Sequence, residues 1–256
     1  MLTNYQLTLS YDGSSYAGSQ EQKKVKTVTS ELKKALLTVF KDIDKLIFSG
    51  RTDAKVHANA QVVNFKSKYT IDSSKVPYIL NNVLPNDINI SNCLIVDAEF
   101  DSRISAKSRQ YHYIMTNDIV PTYLKKYVTQ LNNVPLNEDL CNQYFKLIIG
   151  EHYFDIFRKT GSDEYSTKRD IHSITLTSEQ YTLLTDSKKN ITLYKCEITA
   201  NSFLYRMVRN IMGCMSEILT NKITLAQVEE ALKLRKKTFN YKAAPAEGLY
   251  LNKIEY

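Results

Sequence analysis

Hydrophobic and polar positions alternate along much of this chain, and the period changes from segment to segment. Tyr5, Leu7, Leu9 and Tyr11 alternate with Gln6, Thr8 and Ser10, which predicts a half-buried strand. Asp12-Gly13-Ser14 breaks it as a turn. Val28, Leu32, Ala35, Leu36 and Val39 recur at helical spacing, so a helix follows. Short strands are predicted around Ile47-Phe48 and from Gln61 to Phe65, a helix from Pro77 to Leu84, and a strand from Cys93 to Phe100. The second half repeats the mixture. Arg109 to Met115 alternates as a strand, Leu140 to Ile149 has the pattern of a helix ending at Gly150, and Tyr194 to Ala200 alternates again. A long amphipathic helix comes next, with Leu204, Met207, Val208, Ile211 and Met215 on its apolar side. Arg206, Arg209, Asn210 and Gly213 form the opposite stripe. Thr224 with Gln227 makes a capping box for one more helix through Leu234, and Leu249 to Tyr256 closes the chain as a strand.

Strands and helices are interleaved, yet several strand pairs are joined too tightly for parallel crossovers. The pattern predicts an α+β architecture with a largely antiparallel sheet. No internal repeat or linker stands out; a weak break at Ser102 to Ser108 divides the chain into residues 1–105 and 106–256. The segment Thr160 to Thr167 is the best candidate for a mobile surface loop.

Composition narrows the class. The 256 residues are 43% hydrophobic and 24% charged, as in ordinary globular proteins. Net charge is +7, and 18 Tyr and 9 Phe can stack on bases, so RNA or DNA is the first partner to consider. Charge alone would equally suit a basic protein without such a partner. Lys23, Lys24 and Lys26 form one basic cluster, and Lys233, Arg235, Lys236, Lys237 and Lys242 another. Both are candidate phosphate contacts, though a charge run is usually a solvated face. Cys93, Cys141, Cys196 and Cys214 lie far apart among apolar residues, which predicts buried free thiols in a reducing compartment. No His, Cys and carboxylate cluster has metal-ligand spacing, and no glycine-rich phosphate loop is present. No signal peptide or membrane span is expected, so the expected location is the cytoplasm.

The segment with most chemistry is Ser49-Gly50-Arg51-Thr52-Asp53-Ala54-Lys55-Val56-His57-Ala58, which joins two apolar runs. A carboxylate on such a connection can face a cleft while flanking strands hold it. Asp53 on local sequence is equally a turn residue capping nearby amides. His57 is a candidate general base, although a lone His at a strand start is more often structural.

Residues 49–58 closely resemble the signature of the TruA family of tRNA pseudouridine synthases. Four further segments resemble that family in the same order. They are Tyr11-Asp12-Gly13-Ser14 with Gly18, Gln20 and Gln22; Phe100-Asp101 with Arg103, Ser105, Ala106, Arg109, Tyr111 and Tyr113; Ser202 to Ile211 with Gly213; and Ala244-Pro245-Ala246 with Gly248 to Leu251. The resemblance implies two related halves, 1–105 and 106–256, whose sheets join into one central sheet with helices packed on it. It places an active cleft between them with Asp53 at its base. It also implies a cofactor-independent isomerase that needs no metal or small-molecule cofactor, acting as a homodimer on the anticodon arm of tRNA, at tRNA positions 38, 39 and 40.

Residue by residue, the resemblance makes Asp53 the catalytic aspartate. Whether it attacks sugar or base stays open. Tyr111 would stack on the target uracil and assist proton removal; Arg209 would pair with the aspartate and keep it ionised. Arg51 would help extrude the uridine, and Leu249 would pack against the base. Lys55 and Arg206 join the substrate-binding set. Three positions depart from the family pattern: Lys55 stands where Gly is usual, Ser19 where Trp is usual, and Ser202 where Gly is common. Two alternatives remain beside this reading: a synthase for another RNA site, and a non-catalytic tRNA-binding module.

Overall fold

The computed structural model describes residues 2–132, 134–159 and 166–256. The expected mobile loop at 160–167 lies outside the described residues except for Ser166 and Thr167. The chain divides into two compact units. One contains the residues up to Lys107 together with Tyr250–Tyr256, the other Ser108–Leu249.

The first unit begins with β1 (Thr3–Tyr11), α1 (Val28–Phe40), β2 (Ile47–Phe48), β3 (His57–Ser67), α2 (Val76–Asn81) and β4 (Ile88–Val96). β1 lies between β3 and β4 and pairs antiparallel with both. Its alternation is realised: Tyr5, Leu7, Leu9 and Tyr11 are buried. α1 starts because Thr27 accepts the Ser30 N–H and the Ser30 hydroxyl oxygen accepts the Thr27 N–H, a reciprocal box worth about 1 kcal/mol. Its buried face meets the sheet through Phe40, whose ring lies 5.0 Å from both Tyr5 and Phe65. The strand expected at Cys93 to Phe100 begins five residues earlier, at Ile88. The register slips between Thr8 and Leu9, where Asn92 and Ile90 are the successive partners, and this irregularity breaks the alternation.

The second unit contains β5 (Ser108–Thr116), β6 (Thr129–Gln130), α3 (Glu138–Ile148), β7 (Gly150–Tyr153), β8 (Lys168–Leu183), β9 (Asp186–Ala200), α4 (Met207–Leu219) and α5 (Leu225–Leu234). β5, β9, β8 and β7 are neighbours in that order, all antiparallel; β6 adds a short parallel pair to β5. In the β8–β9 hairpin the hydrophobic pattern predicts only the end of β9, Tyr194 to Ala200; β8 and the start of β9 carry no such signal. Most side chains from Thr175 to Asn190 are exposed, so its distal half has no buried face to impose a period of two.

α4 differs from its expected form. Arg206 is not on the helix; it is the N-cap, in a left-handed conformation at φ 63°. Asn210 and Gly213 are buried rather than solvated. The Asn210 side-chain amide donates to the Phe157 carbonyl at 2.8 Å, and Gly213 lies so close to Lys242 that a Cβ would fall 2.0 Å from its carbonyl oxygen. The predicted capping box of α5 is present, Thr224 with Gln227.

The chain ends in β10 (Leu249–Glu255), which pairs parallel to β3 with Tyr250 opposite His57 and Leu251 opposite Ala58. That pairing is why the last seven residues belong with the first unit. The fold class is α+β with mostly antiparallel sheet. All four cysteines are free and buried, and burial alone or first among causes pushes each thiol up, Cys93, Cys141 and Cys214 to about 12. Among the described residues, no helix is long and apolar enough to cross a membrane.

Candidate active site

Asp53 sits on the loop between β2 and β3, and that loop is anchored at almost every residue. The Ser49 N–H donates to the Val62 carbonyl at 2.9 Å, and its hydroxyl donates to Gln61 Oε1 at 2.7 Å. The other end of the Gln61 amide donates to the Gly50 carbonyl at 2.8 Å. Thr52 is held from two sides. Its N–H donates to Ser19 Oγ at 2.9 Å, its carbonyl accepts the Ser19 N–H at 3.1 Å, and its hydroxyl is 2.8 Å from the Tyr11 hydroxyl. Burial pushes the Tyr11 phenol up to about 12, against the opposing pull of Thr52 and Gln61, so it stays protonated at neutral pH. Past the aspartate, the Lys55 N–H donates to the Tyr16 carbonyl and the Val56 N–H to the Asp53 carbonyl, each at 3.2 Å.

Two glycines let the segment after β1 approach this loop. A Cβ on Gly13 would lie 2.0 Å from the Val56 carbonyl oxygen. One on Gly18, at φ +100°, would lie 2.6 Å from the Thr52 carbonyl oxygen. Gly13→Ala is therefore expected to destabilise the protein by about 3 kcal/mol or more, because backbone must move against backbone. The urea midpoint measures this, and an unchanged midpoint would contradict the close approach.

Within this frame Asp53 is half-buried, while Arg51 and Lys55 are exposed. His57 is buried; its Nδ1 accepts the Gly13 N–H at 3.1 Å, and its ring stacks on Tyr250 at 4.7 Å. That placement makes His57 a structural pin for the turn. Lys55 adopts φ 66°, the left-handed region that glycine enters without penalty. Lys55→Gly is expected to raise stability by about 1 kcal/mol in urea unfolding. If the Lys55 ammonium touches RNA phosphate, the same variant lowers the salt dependence of RNA affinity by about one charge. A stability equal to or below the parent's would overturn the strain argument.

The second unit carries the other expected residues. Tyr111 lies on β5 opposite Ile198, 8% exposed, with Phe203 edge-on to its ring at 5.1 Å and 87°. Arg209 is half-buried on the first turn of α4; its Nε donates to the Ala244 carbonyl and its carbonyl accepts the Ala244 N–H, both at 2.8 Å. Arg206 lies 5.5 Å from the exposed Tyr205 ring, which Lys159 also faces at 5.0 Å. Leu249 is buried, its N–H donating to the Ala246 carbonyl at 2.9 Å. Ser202 is half-buried, its N–H donating to Asn201 Oδ1 at 2.7 Å. The structure thus brings Arg51, Asp53 and Lys55 together on one loop, and Arg206 and Arg209 at one helix start.

The basic clusters are partly neutralised within the protein. Lys26 is 3.6 Å from Asp87 and lies over the Tyr16 ring, Lys233 pairs with Glu229, and Arg235 pairs with Asp155 while covering Tyr153. Lys237 lies 3.8 Å over the Tyr241 ring, and partial burial draws its ammonium pKa down. Among the described residues, no group of three His, Cys, Asp or Glu side chains is placed to hold a metal ion.

Sequence reasoning named Ser19 only as a departure and gave Tyr11 and Gln61 no part in the site. Their contacts with the loop span 33, 41 and 11 residues, and no local spacing signals them.

A family model described as tRNA pseudouridine synthase matches residues 8–103 and 145–256, and the chain belongs to that family. Among individual relatives, it is 38% identical over 258 residues to the tRNA pseudouridine synthase A of Dictyoglomus thermophilum, covering all of both chains. It is 37% identical over 257 residues to that of Thermoanaerobacter pseudethanolicus and 33% over 255 residues to that of Acetivibrio thermocellus, again covering all of both chains.

Proposed function

We propose that this member of the family isomerises uridine to pseudouridine in the anticodon stem-loop of tRNA, with Asp53 as the essential carboxylate. The single observation that supports this most is the setting of Asp53. The residues around it are fixed by buried hydrogen bonds on both sides, while its own side chain is half-exposed. A turn cap has no use for that much anchoring; a reacting carboxylate does.

The reaction breaks the bond from N1 of uracil to the ribose C1′, turns the base, and forms a bond from C5 to C1′. A proton leaves C5 and one arrives at N1, so no oxidant or reductant is consumed. Asp53 adds to sugar or base and leaves again. Arg51 and Lys55, exposed beside it, contact the displaced strand. Tyr111 stacks on the uracil and takes part in the proton removal, and Arg209 balances the aspartate's charge. Leu249 packs against the base and Arg206 against phosphate. The protein works in the cytoplasm as a homodimer on the anticodon arm.

Mapping pseudouridine in tRNA incubated with the purified protein tests this. New pseudouridine at the anticodon arm is expected. Pseudouridine elsewhere would redirect the reading to another RNA site, and none at all would leave a binding module.

A further inference from the structure

We propose that Ser19 is a positioning residue for the isomerisation, holding the peptide that carries Asp53 through its double contact with Thr52. The inference rests on the catalytic reading of Asp53. Ser19 is 1% exposed and hydrogen-bonds the loop at Thr52, the residue immediately before the aspartate. Its Oγ accepts the Thr52 N–H and its own N–H donates to the Thr52 carbonyl, so both polar groups of that peptide unit's residue are taken by one partner.

The partner is itself immobilised. The Ser19 carbonyl accepts from both the N–H and the hydroxyl of Thr29, in the first turn of α1, and the adjoining Gly18 carbonyl accepts the Val28 N–H at 3.2 Å. The Asp53 loop is thereby tied to the start of a helix that the protein's core holds in place. The Tyr11 hydroxyl closes the remaining side at Thr52 Oγ1.

This device is particular to the residue present. A serine hydroxyl can accept a hydrogen bond from the Thr52 N–H, which an alanine side chain at this position cannot.

Because Ser19 is buried, it has no surface to offer RNA, so its loss should appear in turnover and not in binding. Ser19→Ala is expected to lower kcat about 10- to 100-fold, the range for a displaced reacting group, with KM for tRNA unchanged within about twofold. Amide exchange at Thr52 should quicken in the same variant while exchange in β1 and β3 does not. Ser19→Cys keeps the size with a weaker acceptor and is expected to fall between parent and Ser19→Ala; it carries the test alone should Ser19→Ala not fold. A parental kcat, or a loss carried by KM, overturns the proposal. Asp53→Asn is assayed in parallel. If it stays active, the reading of Asp53 fails; if it is inactive while Ser19→Ala is fully active, only the positioning role fails.

Discussion

Asp53→Asn is expected to lower pseudouridine formation by about 10,000-fold or more, the scale seen when a covalent nucleophile is removed, while tRNA still binds. The substitution keeps the side chain's shape and removes its charge. The loop should survive it, because Thr52 stays held by Ser19 and Tyr11, the Val56 N–H by the Asp53 carbonyl, and Gly50 by Gln61, and the substitution alters none of these groups. Release of label from C5 of uridine in tRNA measures turnover, and filter binding measures affinity. Turnover within about tenfold of the parent would remove Asp53 from the chemistry, since no residual route through the oriented base alone comes that close. Loss of binding together with turnover would instead point to a loop that needs the carboxylate for its shape.

How much of this could be seen in the sequence depends on the distance over which each constraint acts. β1 and α1 were legible because a buried face repeats their period within a few residues; Tyr5 to Tyr11 and Val28 to Phe40 are buried as the pattern requires. The α5 capping box was legible because Thr224 and Gln227 meet three residues apart. The β8–β9 hairpin was legible only at Tyr194 to Ala200, because exposed residues on both faces of its distal half carry no period. α4 misled in the opposite sense. Polar Asn210 and featureless Gly213 read as a wet stripe, yet a carbonyl from Phe157 and the backbone at Lys242 bury both, partners 53 and 29 positions away.

The candidate site divides along the same line. Arg51, Asp53 and Lys55 were visible as a motif, and the resemblance proposed Tyr111 and Arg209 beside them. What makes the motif a rigid platform was hidden, since Tyr11, Ser19 and Gln61 act across the fold. The left-handed backbone at Lys55 was also hidden, although a lysine in a position that usually holds glycine was its trace.

Tyr111→Phe should separate the two roles given to that ring, and it is expected to slow turnover by about 100-fold, the lower end for a lost proton-transfer group. The ring remains. It is 8% exposed, and its perpendicular contact with the Phe203 ring at 5.1 Å uses an aromatic ring that phenylalanine keeps, so fold and uracil stacking should change little. Only the hydroxyl goes, and with it the group proposed to take the C5 proton after the carbon–carbon bond has formed. If that proton removal then limits the rate, deuterium at C5 of the target uridine must slow the variant more than it slows the parent. A slower variant with a larger isotope effect assigns the hydroxyl to the last proton transfer. A slower variant with the parent's isotope effect moves its action to an earlier step, and a fully active one reduces Tyr111 to a stacking platform. Removing the ring in Tyr111→Ala would then have to weaken the reaction through KM, because stacking acts on the bound base before any bond to it is broken.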